Sequence, residues 1–141
     1  MMGQARTLIP LSDYDGDLVD PDSDITGRKV IDAAGNDVGK VDELLVDADR
    51  NVVRFMEIAH GGFLGIGQSK VLLPIEAVTV VGEDDVRISQ MKTDIEAAPP
   101  YEDGGTGSQE AYWTSVYGHY GYSPYWNDDI SSTGSGGVRA V

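Results

Sequence analysis

Four glycines in seven residues, in the stretch GGFLGIG from Gly61 to Gly67, have the spacing in this chain that most suggests chemistry. A glycine-rich loop cradles phosphate when it opens a helix, because the amides of the first turn then face the anion. The dinucleotide fingerprint G-x-G-x-x-G needs that strand-to-helix setting. Here the order is G-G-x-x-G-x-G, and the QSKVLLP that follows reads as a strand. A Walker loop would close on Gly-Lys and then Ser or Thr, where this chain has Gly67-Gln68-Ser69-Lys70. The stretch is therefore read as a hairpin loop in which glycines permit left-handed backbone. Phe63, Leu64 and Ile66 stand between them, more apolar surface than a solvated loop needs. They either fold back over an open end of the domain or form a contact patch for a partner.

Two acidic stretches begin like calcium loops, DYDGDLVDPDSD from Asp13 and DADRN from Asp47. An EF-hand loop needs glycine at its sixth place and glutamate at its twelfth. Those places hold Leu18 and Asp24 in the first count, and Val52 and Ile58 in the second. Both are read as solvated turns, with Asp13, Asp15 and Asp17 as weak candidates for a loosely held cation. His60 and His119 are the only histidines, and no Ser-His-Asp order surrounds either. Acid–base pairs need burial to separate their pKa values, and these carboxylates fall mostly in turns. With no cysteine, disulfides and thiolate chemistry are excluded. The expectation is a protein with no catalytic residues and no cofactor.

The elements that must carry these residues are short. Most aliphatic residues lie between Ile25 and Ile95, whereas both tryptophans and six of the seven tyrosines lie from Tyr101 onward. That division predicts an acidic arm over 1–23, one aliphatic-cored domain over 24–98 and a Pro/Gly/aromatic extension over 99–141. In the arm, Pro21 and the aspartates disfavour regular structure, and it reads as a linker. Strand segments then alternate with turn signals. ITGRKVID is closed by Gly35-Asn36-Asp37, VGKVDELLVD carries a bulge-like shift at Asp42-Glu43, and VVRFMEIA is apolar on both faces. A strand apolar on both faces is covered on both, by its own chain or at an interface. In KVLLPIEAVTVV, Pro74 marks an edge or a kink where one strand hands over to the next. VRIS alternates, with Val86 and Ile88 inward. The result is an all-β domain of about six mostly antiparallel strands. In the extension, Tyr112, Trp113, Val116, Tyr117 and Tyr120 share one face of a short helix near 108–120. This aromatic face, together with Trp126, either packs on its own domain or docks on a partner. The end, SSTGSGGVRAV, is expected to be disordered.

The net charge is -14, from 24 acidic and 10 basic side chains. A field of that sign repels phosphate backbones and anionic lipid, so neither nucleic acid nor direct membrane insertion is expected. The opening MMGQARTLIPLSD has no basic segment leading into an apolar core, and no secretory signal is read there. A cytoplasmic location is the expectation.

The segments ITGRKVIDAAGNDVGKVDELLVDADRNVVRFMEIA and KVLLPIEAVTVVGEDDVRIS, in that order and spacing, resemble the PRC-barrel domain. That family includes the cytoplasmic domain of the photosynthetic reaction-centre H subunit and the C-terminal domain of a ribosome-maturation factor. The resemblance implies a small β-barrel of about six strands that serves as a docking or adaptor module without a common catalytic centre. The H subunit carries a membrane-spanning helix and the ribosome factor an N-terminal barrel, and neither feature is read in this sequence. Two function classes follow, a non-enzymatic interaction module that is possibly homodimeric, and a soluble relative of the H subunit supporting electron transfer. A small-ligand or cation-binding protein is the third. A core this small gains from a shared apolar face, which favours a dimer.

Overall fold

The hairpin that organises the sheet is built on Asp47. Its backbone carbonyl accepts from Asn51 N at 2.7 Å, and its carboxylate accepts from Asp49 N at 3.1 Å. Asn51 takes the left-handed backbone this turn needs, at φ 61°, a conformation asparagine tolerates better than most residues. The turn joins strands β3 (Asp37–Asp47) and β4 (Val52–His60), the two longest of the fold. The computed structural model describes residues 8–60, 69–100 and 109–126.

Around that hairpin lie β1 (Leu8–Pro10), β2 (Lys29–Ile31), β5 (Ser69–Pro74), β6 (Val78–Val81) and β7 (Asp85–Ile88). They form one sheet in the order β5-β4-β3-β2-β7-β6, with β1 added to β3. β3 shares one edge between two partners, β2 at its start and β1 at its end. All pairings are antiparallel except β2 with β7. The arm read as an unstructured linker thus contributes a strand, Leu8–Pro10, and the described residues hold seven strands where about six were expected. LIP is too short for alternation to show, and only the neighbouring edge of β3 makes it a strand.

Local chemistry sets the irregularities. The β3–β4 register slips between Val41 and Glu43, where the pattern shift lies in the sequence. β5 stops at Pro74, a 3-10 turn (Ile75–Ala77) follows, and β6 begins at Val78. Gly39 on β3, at φ +156°, is obligatory, because a Cβ there would collide with the carbonyl oxygen of Ala59 across the ladder. Helices α1 (Lys92–Glu96) and α2 (Gln109–Tyr120) pack with the sheet.

Both faces of β4 are covered. Met56 and Ile58 point to one side with Leu44, Val41 and Leu73, all fully buried. Phe55 points to the other, where α2 lies over the sheet. The sheet is curled around the first set as a half-barrel.

Candidate interaction surfaces

The aromatic extension is where sequence reasoning placed most of its contact residues, and the structure puts them inside the molecule. Spacing of three and four turns Trp113, Val116, Tyr117 and Tyr120 to one side of α2, and all four are buried. Tyr117 lies 5.0 Å from Phe55 and 6.0 Å from Trp126 between ring centroids, and Trp113 lies 6.5 Å from Phe55. Tyr125 and Trp126 are buried as well. Tyr112 is half-buried, and its hydroxyl donates to the carbonyl of Pro99 at 3.0 Å. Trp113 and Tyr117 therefore cover Phe55 of the chain's own β4, with Trp126 against Tyr117 and Tyr120 buried on the same side of α2, and a partner would reach these rings only if the extension undocked. Burial pushes the Tyr117 and Tyr120 phenols well above the usual tyrosine range, because desolvation disfavours the phenolate.

Arg54 clamps the extension to the β3–β4 hairpin. Its guanidinium lies 4.1 Å from the centroid of the Tyr125 ring and 3.2 Å from a carboxylate oxygen of the buried Asp47. A second clamp joins the helices, where His119 Nε2 lies 2.8 Å from the Asp94 carbonyl oxygen. Phe63, Leu64 and Ile66 lie outside the described residues.

Asp32 shows how a buried carboxylate can be structural. Only 1% exposed, it accepts from Ala34 N at 2.9 Å, Asn36 N at 2.7 Å and Lys92 N at 2.8 Å. One side chain thus ties the β2–β3 turn to the start of α1. Burial would raise its pKa, but the amides of Asn36, Lys92 and Ala34 and the Asn36 side chain outweigh it and hold the carboxyl below the usual aspartate range.

A third cluster crosses three strands, with Lys70 Nζ 3.2 Å from Asp42 and 3.5 Å from the buried Glu57. Lys70 holds the Asp42 carboxyl low, and Asp42 with Glu57 raises the lysine. The two ion pairs staple β5 to β3 and β4. The cluster was not legible in the sequence, because register alone brings 42, 57 and 70 together.

Asp13, Asp15 and Asp17 are each exposed. Among the described residues no three acidic or histidine side chains converge as a metal site needs. His60 ends β4, its Nε2 buried with no hydrogen-bond partner among the described residues.

The two edges of the sheet are treated differently. At β5, Pro100 bridges Val71 and α2 packs alongside. At β6 no further strand pairs among the described residues, and Val80 and Val81 are 54% and 52% exposed. A bulge between Val78 and Val80 bends this edge. Acidic residues flank it, Glu76 on one side and Glu83, Asp84 and Asp85 on the other.

The described residues thus form a small half-barrel sheet, curled around its core and open along β6. Residues 19–95, more than half of the chain, match the PRC-barrel domain, and the protein belongs to that family. The match leaves out β1 and α2, so two elements that complete the core lie beyond the family domain. No curated protein matches the chain. None of the described helices is long and apolar enough to cross a membrane.

Proposed function

We propose that this PRC-barrel protein is a non-enzymatic interaction module that docks an extended segment of a partner protein along the free edge of β6. The observation that carries the reading is the contrast between the edges. Soluble proteins blunt an open edge with lysines, prolines, bulges or a covering element, and β6, though bent by its bulge, carries no lysine, proline or covering strand among the described residues and presents Val80 and Val81 at more than half exposure. Strand addition uses such an edge, with backbone hydrogen bonds supplying affinity and side chains specificity. The acids at both ends favour a segment with basic flanks. A second copy would bring those acids against one another.

The test compares the full chain with Val80→Lys and Val81→Lys, surface changes that leave the core intact. Affinity capture identifies the partner, and amide exchange on the purified complex locates the contact. Protection at Val78–Val81, lost with both variants and weakened by salt, is the expected result. A partner held equally by the variants, with β6 exchanging freely, refutes the proposal. Sedimentation of the chain alone reads the alternative occupant, since pairing of two copies through this edge would strengthen with salt and would overturn the heterologous reading.

A further inference from the structure

Three of the four lysines in the chain, Lys29, Lys40 and Lys92, line one cleft of about 620 Å³ beside the β2–β3 pair and α1. That concentration runs against a composition of 24 acidic and 10 basic side chains. Sheet register makes the placement specific, because Lys29 and Lys40 are direct cross-strand partners. Their stems leave neighbouring Cβ atoms on one face about 5 Å apart, and like charges opposed in this way destabilise a sheet. Lys29 is offset by Asp37 at 3.6 Å, in a pair more than half exposed on both sides. Lys40 acts on Asp42 at longer range, and neither Lys40 nor Lys92 makes an ion pair among the described residues.

Carboxylates also line the cleft, Asp84 and Glu96 besides the Asp37 already paired with Lys29. A compact anion brings less charge near these carboxylates than an extended polyanion does. The volume is within the range of small-molecule sites, about 300–1,000 Å³. Repulsion by the net charge of -14 is screened beyond about 8 Å at physiological ionic strength, so at contact distance the nearest charges decide.

We propose that this cleft binds a small, multiply charged oxyanion, of phosphate or carboxylate type, held between Lys29, Lys40 and Lys92. The anion converts the opposition of Lys29 and Lys40 into a shared attraction. This inference is independent of the docking edge on β6.

The full chain, labelled with nitrogen-15, is titrated with sodium pyrophosphate and separately with sodium citrate, at constant ionic strength set by sodium chloride. Saturable amide shifts grouped around 29, 40 and 92, with a rise in Tm, are expected for at least one anion. Which anion binds assigns the chemistry to phosphate or carboxylate. The double variant Lys40→Gln, Lys92→Gln keeps the fold, because both side chains are exposed, and it weakens binding about tenfold or more through lost charge-assisted bonds. In chloride alone Lys40→Gln raises Tm by relieving the like-charge pair. Shifts that never saturate with either anion, or equal binding by the double variant, overturn the proposal.

Discussion

Replacing Tyr117 with alanine tests whether the aromatic extension is part of the folded core. The ring is fully buried and lies within aromatic contact of Phe55, at 5.0 Å, and of Trp126, at 6.0 Å. Truncating a buried aromatic to alanine costs about 3–5 kcal/mol, the lost transfer energy plus the cavity left behind. Against a total stability of about 5–15 kcal/mol for an ordinary domain, that is about a fifth or more. At about 3–5 °C per kcal/mol for a chain of this size, Tm should fall by roughly 10–25 °C. The assay is thermal and urea unfolding of the full chain, followed by far-UV circular dichroism. Tyr117→Phe is the control, keeping the ring and removing only the buried hydroxyl, which lies near the Tyr125 amide. Its stability should stay within about 1.5 kcal/mol of the parent, the worth of one hydrogen bond at most. An alanine variant melting within about 2 °C of the parent would refute the docking of α2 on β4, because a core aromatic cannot be removed so cheaply. A phenylalanine variant as damaged as the alanine one would show that the hydroxyl, and not the ring, carries the contact.

Asp32, whose folded pKa lies below its ordinary value, contributes stability that is full above the unfolded pKa, near 3.9, and is lost as pH falls through the folded value. Urea titrations from pH 6 to pH 2 should therefore show an acid limb that is shallower in Asp32→Asn, and an unchanged limb would remove the role given to this carboxylate. Gly39→Ala should destabilise by about 2 kcal/mol or more, as a residue forced into an incompatible backbone does. A urea midpoint like the parent's would mean that the β3–β4 ladder is looser than the close approach to Ala59 implies.

Much of the half-barrel was legible because its signals are local. Gly35, which takes a left-handed φ of +94°, marks the turn before β3, and the shift at Asp42-Glu43 marks the bulge. Pro74 cannot donate to a ladder, so it had to stand where β5 gives way to β6. The short β1 left no comparable trace, since three residues cannot establish a period of two.

The sequence by itself determined where most strands and turns fall, the inward Val86 and Ile88 of β7, the aromatic face of α2 and the need to cover β4 on both sides. Each of these follows from side-chain chemistry at fixed spacing along a single segment. Only the tertiary structure decided that the chain's own extension supplies that cover, that β6 is left open, and that Lys29 comes to lie opposite Lys40. Those outcomes depend on which surfaces fall within reach once the sheet has curled. An apolar face carries no record of the face that will bury it, nor a lysine of the residue that will stand across the ladder.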